Sequence, residues 1–240
     1  MHAEGWLGKS VRWNCGRLGQ EIHPYQAGLV ERIGQAPKGG YLVVDLHPIE
    51  HEGTSMGGTH KVYSSCAKGS IWGHNLVSAG LVYPDPQQEV YPLCLSPFPN
   101  SDMTTEDYPQ LTPSEAMLNV VAGVNELEYA VKAVVVDAQF TTRFALRSLR
   151  HLKTPLVGRF RTDSWVRHGG KSVQVRTLAI DYPPGKARFY KRFKWYAKRL
   201  RVELEAVGFV DLILIWKPKS QGFELLALIS TLDPTTGLQT

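Results

Sequence analysis

The chain has 240 residues, of which 43% are hydrophobic and 20% are charged, and a formal net charge of +5. This length and composition can bury a substantial core, either as one large domain or as one domain with an insertion. No stretch approaches the roughly 18 uninterrupted apolar residues of a membrane-spanning helix, and no apolar signal region opens the chain. We therefore expect a cytoplasmic globular protein without membrane association.

The first predicted strand follows a short N-terminal segment, residues 1–38, and the turn Pro37-Lys38-Gly39-Gly40. It consists of the apolar β-formers from Tyr41 to Val44 and ends on the carboxylate of Asp45. A glycine-rich loop comes next, and Trp72 to Tyr83 and Val90 to Leu95 then predict two further strands. The first third of the chain is therefore expected to form a β-meander.

A helix start is predicted at Thr112-Pro113-Ser114-Glu115, because a hydroxyl N-cap, a proline at the first helical position and a glutamate three residues on form a capping box. A strand from Ala133 to Val136 follows and again ends on a carboxylate, Asp137. A second amphipathic helix, Thr141 to Leu152, leads to a strand from Pro155 to Phe160. The order is three strands, helix, strand, helix, strand, which is typical of an α/β RNase H-like core.

Two carboxylates at strand ends, Asp45 and Asp137, suggest a metal site, because neighbouring parallel strands would bring them together. Oxygen ligands of this kind suit Mg²⁺ or Mn²⁺. The alternative is that each Asp only caps the turn that follows its strand.

After Asp163 the pattern becomes β-rich, which predicts an inserted subdomain. The predicted organisation is a partial core at 39–162, an insertion at 163–222 and a return strand at 223–240. The β-rich pieces are Ser172 to Ile180, Val202 to Leu204, Val210 to Trp216 and Phe223 to Ser230.

The positive charge is concentrated in this β-rich part, within one segment that contains no acid. Without its eight cations the 27 Lys and Arg residues fall to 19, fewer than the 22 Asp and Glu residues. Five aromatic residues lie between the cations, so the segment can neutralise phosphates and stack on bases, or it can be a solvated face whose aromatics are core. The cations are Lys186, Arg188, Lys191, Arg192, Lys194, Lys198, Arg199 and Arg201.

Several pieces, in this order, resemble the DDE transposases of bacterial insertion sequences, in particular the IS4-like and IS701-like groups. The resemblance covers roughly residues 40 to 240. The matching pieces are the strand ending at Asp45, Gly57-Gly58-Thr59-His60, Gly73-His74-Asn75-Leu76-Val77, the strand ending at Asp137, and Leu228-Ile229-Ser230-Thr231-Leu232-Asp233.

The resemblance implies metal-dependent DNA cleavage and strand transfer during transposition. In that family two Asp and one Glu hold two divalent ions, Mg²⁺ or Mn²⁺, that activate the nucleophile at the scissile phosphate. Asp45 and Asp137 would be the first two ligands, and the basic segment would grip the backbone of the transposon ends. The resemblance also implies an association with the nucleoid, and it allows a homodimer in a complete protein.

The third acid of the family belongs to a Tyr-Arg-x-Glu helix after the Ser-Thr-Leu-Asp piece, and no such signature occurs before Thr240. Glu224 lacks that signature, so we interpret it as a surface charge at a strand end, and no residue is assigned as the third ligand. The expectation is a transposase truncated before its catalytic Glu. The alternative is a non-catalytic, DNA-binding RNase H-like remnant.

His47-Pro48-Ile49-Glu50-His51 also matches the H-x-x-E-H signature of inverted zinc metallopeptidases. That motif requires a helix to place both His on one face. Here it follows a predicted strand directly and contains Pro48, so zinc peptidase activity is the less favoured function.

Overall fold

The computed structural model of the chain describes residues 39–50, 60–64, 66–83, 90–98, 111–126 and 129–232. The chain divides into two compact units, Met1–Lys132 and Ala133–Thr240, here called the N-terminal and C-terminal units. The predicted segment 1–38, the glycine-rich loop and Asp233 lie outside the described residues. Within the described ranges, no helix combines the length and the hydropathy needed to cross a membrane.

The described part of the N-terminal unit is an antiparallel sheet followed by one helix. The three predicted strands and the helix are present, but the strand His60–Ser64 was not predicted. The third strand pairs antiparallel with each of the other three. The elements are β1 Tyr41–Glu50, β2 His60–Ser64, β3 Gly69–Val82, β4 Val90–Phe98 and α1 Pro113–Glu126.

The start of α1 is set by the predicted capping box. The backbone N–H of Thr112 donates to Glu115 Oε2 at 2.7 Å, and the backbone N–H of Glu115 donates to Thr112 Oγ1 at 3.3 Å. Two orphan donors at the helix end are thereby satisfied. The predicted apolar face is buried, with Met117 and Val121 fully inaccessible to solvent. Local spacing alone accounts for this helix.

The C-terminal unit is a sheet in the order β5-β6-β12-β11-β10-β7-β8, with β9 paired to β10. Only β5 and β6 are parallel to each other; the other described pairs of this unit are antiparallel. The strands are β5 Ala133–Val136, β6 Leu156–Phe160, β7 Trp165–His168, β8 Lys171–Gln174, β9 Arg188–Tyr190, β10 Trp195–Leu204, β11 Gly208–Pro218 and β12 Phe223–Ser230. The helices are α2 Arg143–His151 and α3 Val175–Asp181.

The core of the C-terminal unit contains the apolar side of α2 and alternate residues of the long strands. Phe140, Leu146 and Leu149 are fully or almost fully buried, and so are Leu212 and Leu214 on β11. Because successive strand residues point to opposite faces, the burial of Asp211 and Ile215 as well shows that both faces of β11 are covered.

The prediction of an α/β RNase H-like core with an inserted β-rich subdomain is wrong. The described residues form twelve strands and three α-helices, and the protein is mostly β-sheet. The alternation of helix and strand from α1 to β6 is present, but it is followed by long antiparallel strands. Since β12 pairs with β6, these strands continue the sheet of β5 and β6. They do not form a separate insertion.

One local prediction within this part also fails. Ser172 to Ile180 was expected to be a strand, but a short strand, β8, ends at Gln174 and the helix α3 begins at Val175. The buried residues Val175, Leu178 and Ala179 are spaced three and four apart. This spacing favours a helix over a strand, because a helix turns all three residues towards the core as one apolar stripe.

Candidate nucleic-acid interface

The basic segment from Arg188 onwards forms a β-hairpin, built from β9 and β10. Lys186 lies just before the hairpin, in the 3₁₀ turn Pro184–Lys186. Tyr190 pairs with Trp195 and Arg188 pairs with Ala197. The chain reverses at Lys191 to Lys194, where the backbone N–H of Phe193 donates to Tyr190 O and Lys194 adopts φ of 55°. The hairpin is part of the sheet, because β10 also pairs with β11 from Tyr196 onwards.

Most cations of this hairpin remain available to an anionic ligand. All but Lys198 are exposed, and Lys198 is half-buried beside the ring of Tyr182. Within the described part of the chain, six of the eight make no ion pair with a carboxylate. They are Lys186, Arg188, Lys191, Arg192, Lys194 and Lys198.

Aromatic rings on the hairpin are exposed and stacked on one another. Phe193 is 54% accessible, Phe189 45% and Tyr190 38%, so these rings are not core residues. The rings of Phe193 and Trp195 stack with centroids 5.6 Å apart, and those of Phe189 and Tyr196 lie 4.9 Å apart. The exposure disfavours the alternative in which the aromatics of the basic segment are buried.

Two residues from other strands contact these rings, one on each face of the sheet, and sequence reasoning did not single them out. Lys217 on β11 places its ammonium 5.8 Å from the ring of Trp195, and Phe223 on β12 contacts Tyr196 edge to face at 5.8 Å. Lys217 directly follows the apolar run of β11. Its position at the end of a predicted strand was the only indication in the sequence, and that position did not show that Lys217 contacts Trp195.

Two predicted DNA-binding residues are already engaged. Arg199 donates to Asp211 Oδ2 at 2.5 Å and Arg201 donates to Asp211 Oδ1 at 3.4 Å. The carboxylate of Asp211 is 5% exposed, so the two guanidinium groups provide its charge compensation. Arg199 and Arg201 therefore help to hold β10 to β11, and their ion pairs make them less available to phosphate than the other six cations.

Replacing Asp211 by alanine should lower the free energy of unfolding by about 1–3 kcal/mol, because it removes a buried acceptor of two charged hydrogen bonds. Both arginines can reach solvent, which limits the loss. Chemical denaturation measures the effect. Asp181→Ala, at an exposed carboxylate, is the control. Equal stability of the two variants would contradict this role for Asp211.

Asp45 lies in the middle of β1 and not at a strand end. Its partner in the sheet is Ser78 on the antiparallel strand β3. The residue is exposed, and its Oδ1 accepts a hydrogen bond from the backbone N–H of Leu46 at 2.8 Å. The prediction that β1 stops at this carboxylate is wrong, because the strand continues to Glu50.

Asp137 directly follows the buried strand β5, as predicted, and precedes a short 3₁₀ turn, Ala138–Phe140. Its carboxylate is 47% exposed and its Oδ1 lies 3.6 Å from Nε of Arg159. Asp137 belongs to the C-terminal unit and Asp45 to the N-terminal unit.

A two-ion Mg²⁺ or Mn²⁺ site needs several carboxylates gathered around the ions. Among the described residues, no three His, Cys, Asp or Glu side chains come together as such a group. Asp45 and Asp137 have the right oxygen chemistry but do not make a complete ligand set. The described residues therefore do not fit a two-ion site.

The zinc peptidase motif has the wrong secondary structure. His47 and Glu50 both lie on β1, where residues three apart point to opposite faces of the sheet. His47 Nδ1 lies 3.5 Å from Ser78 Oγ on β3. His51 lies outside the described residues. A helical face carrying His47 and Glu50 is excluded.

Glu224 lies at the second position of β12, where its carboxylate contacts Lys219 Nζ at 2.8 Å. This hydrogen bond and the charge of Lys219 hold the pKa of Glu224 below its usual value. The side chain is 41% exposed, which is the environment of a surface ion pair.

A cleft of about 560 Å³ opens beside the 3₁₀ turn that follows Asp137. Its cations are already paired: Arg143 with Glu205 at 2.8 Å, and Arg161 with Asp163 at 2.8 Å. The hydrogen bond from Arg161 lowers the pKa of Asp163, so this pair stays charged near neutral pH. The cleft is therefore a weaker candidate for an anionic ligand than the hairpin.

No family model matches this chain, and no curated protein matches it. The hairpin geometry and the resemblance of the sequence pieces are what support a function.

Proposed function

We propose that this chain is part of a DDE-type transposase and that it binds the DNA backbone through the β9–β10 hairpin. The observation that carries the DNA binding is a set of six cations, five on the hairpin and Lys186 just before it, that make no ion pair with another described residue. The rest of the chain is mildly acidic, so the hairpin is the main attractive surface for a polyanion.

Phosphates are the ligand that this chemistry favours. Each Lys or Arg that neutralises a phosphate releases a condensed counterion, which makes binding tight at low salt and weak at high salt. Three of the six cations, Lys191, Arg192 and Lys194, lie exposed at the turn of the hairpin, between β9 and β10.

A salt titration of duplex binding tests the proposal. We expect the affinity to fall steeply between about 50 and about 200 mM salt, with a logarithmic slope of about −0.9 per phosphate contacted. Fluorescence anisotropy of a labelled duplex measures it. Absence of binding at the lowest salt would refute the proposed function.

Strand cleavage with Mg²⁺ or Mn²⁺ is the second candidate function. It rests on the resemblance of the sequence pieces alone, because the described residues gather no complete ligand set for two ions. It predicts Mn²⁺-dependent nicking of a supercoiled plasmid. Nicking should disappear in Asp45→Asn and in Asp137→Asn, while DNA binding is retained. Nicking that survives both substitutions would refute the assignment of these ligands.

A protein that binds DNA without nicking it would match the alternative that the sequence left open, a non-catalytic DNA-binding protein. In either case the proposed location is the bacterial cytoplasm at the nucleoid, with transposon DNA as partner. A homodimer belongs to the same proposal, because DDE transposases act on paired transposon ends.

A further inference from the structure

We propose that the hairpin binds unpaired nucleotides in preference to intact duplex DNA. The inference rests on the proposed DNA binding and specifies its substrate. The site is an aromatic platform, formed by Tyr190, Phe193 and Trp195, together with the cations beside it.

The platform brings three aromatic rings to one part of the hairpin. Tyr190 and Trp195 are cross-strand partners, so their side chains leave the same face of the hairpin. Phe193, from the turn, stacks on Trp195 with an angle of 29° between the ring planes. Phe193 and Tyr190 are exposed, and Trp195 is half-buried. A planar base can therefore extend this stack from the solvent side.

A cation flanks each ring of the platform. The guanidinium carbon of Arg188 lies 5.3 Å from the centre of the Tyr190 ring, and that of Arg192 lies 5.6 Å from the centre of the Phe193 ring. Lys217 Nζ lies 5.8 Å from the Trp195 ring. Proteins that bind single strands combine aromatic stacking surfaces with positive charge along the backbone, and this arrangement provides both.

Duplex DNA cannot use the aromatic part of this site. Its bases are already stacked on one another, so a duplex offers the hairpin only phosphates and groove edges. Exposed aromatic area costs free energy in water, and cations alone would suffice for a duplex. The groups beside the rings, Arg188, Arg192 and Lys217, are all cations, which favours a polyanion over a protein partner of ordinary composition.

The test compares one labelled oligonucleotide of about 20 nucleotides as a single strand and as a duplex, with the full chain at fixed salt. The single strand should bind at least about fivefold more tightly. Trp195→Ala should weaken single-strand binding about tenfold and duplex binding less than about twofold, since stacking acts only on the former. Phe144→Ala, on the exposed side of α2, is the control and should change neither.

Phe193→Ala keeps the test decisive if Trp195→Ala disturbs the hairpin, because Phe193 projects from the turn and is 54% exposed. It should also weaken the single strand selectively. Equal affinity for both DNA forms, or aromatic variants that leave single-strand affinity unchanged, would overturn the inference while the proposed backbone binding stands. Failure to bind either form would instead refute the proposed function.

Discussion

Replacing Gly158 by alanine should lower the free energy of unfolding by about 3 kcal/mol, the upper end of the usual cost of overpacking. A Cβ at this position would overlap Cγ2 of Thr141 and lie 2.9 Å from Cγ2 of Val136. Neither neighbour can move aside easily, because both are β-branched and stiff at χ1. Gly158 is on β6, next to the parallel strand β5, so any shift also disturbs that pairing.

Thr141 is held in place by its own hydrogen bonds. Its hydroxyl is 2.9 Å from the carbonyl oxygen of Ala138 and 2.7 Å from that of Arg159. A hydroxyl has one proton, so the two carbonyl oxygens share it, and a rotation of the side chain would move the oxygen away from both acceptors. The strain introduced at Gly158 would therefore be absorbed by the backbone.

Urea denaturation measures this effect, and Gly185→Ala is the matched control. A Cβ at Gly185 would meet no atom within 4 Å. We expect its stability to stay within about 0.5 kcal/mol of the wild type. If both substitutions lower the free energy of unfolding by the same amount, the close packing at Gly158 is not what stabilises the C-terminal unit.

Removing the three cations of the hairpin turn should flatten the salt dependence of DNA binding. In the triple variant Lys191→Gln, Arg192→Gln and Lys194→Gln, the logarithmic slope should decrease by about 2.7, or about 0.9 for each charge. Between about 50 and about 200 mM salt the wild type would then lose about 40-fold more affinity than the variant. Anisotropy titrations over this range measure the difference. Gln is chosen because it removes the charge and keeps a long polar side chain.

The control for this experiment removes the same charge elsewhere in the C-terminal unit. Arg147, Lys171 and Arg176 are exposed and lie outside the hairpin. Their replacement by Gln should change the slope by less than one contact, about 0.9. If both triple variants flatten the slope equally, net charge attracts the DNA and the hairpin does not position it.

These experiments separate three properties of one surface. The charge variants report on phosphate contacts, the aromatic variants report on stacking with unpaired bases, and Asp211→Ala reports on the pairing of β10 with β11. The separation is feasible because Arg199 and Arg201 stabilise the sheet through Asp211. A variant that replaced all eight cations would mix DNA affinity with stability.

Local features were predictable from the sequence. The capping box at Thr112 and Glu115, the strand that ends before Asp137 and the bounds of β12 depend on residues within a few positions of one another. Capping and alternation are properties of short segments, so their physics can be read without the fold. The concentration of positive charge in one segment was evident for the same reason.

The sheet topology and the availability of each cation were decided only by the tertiary structure. β12 pairs with β6 across more than sixty residues of sequence, and this pairing turns an expected insertion into part of one sheet. Asp211 forms ion pairs with two of the eight cations, and Lys217 contacts the aromatic platform from another strand. Such contacts depend on the register between distant strands, which hydrophobic periodicity in any one strand does not encode.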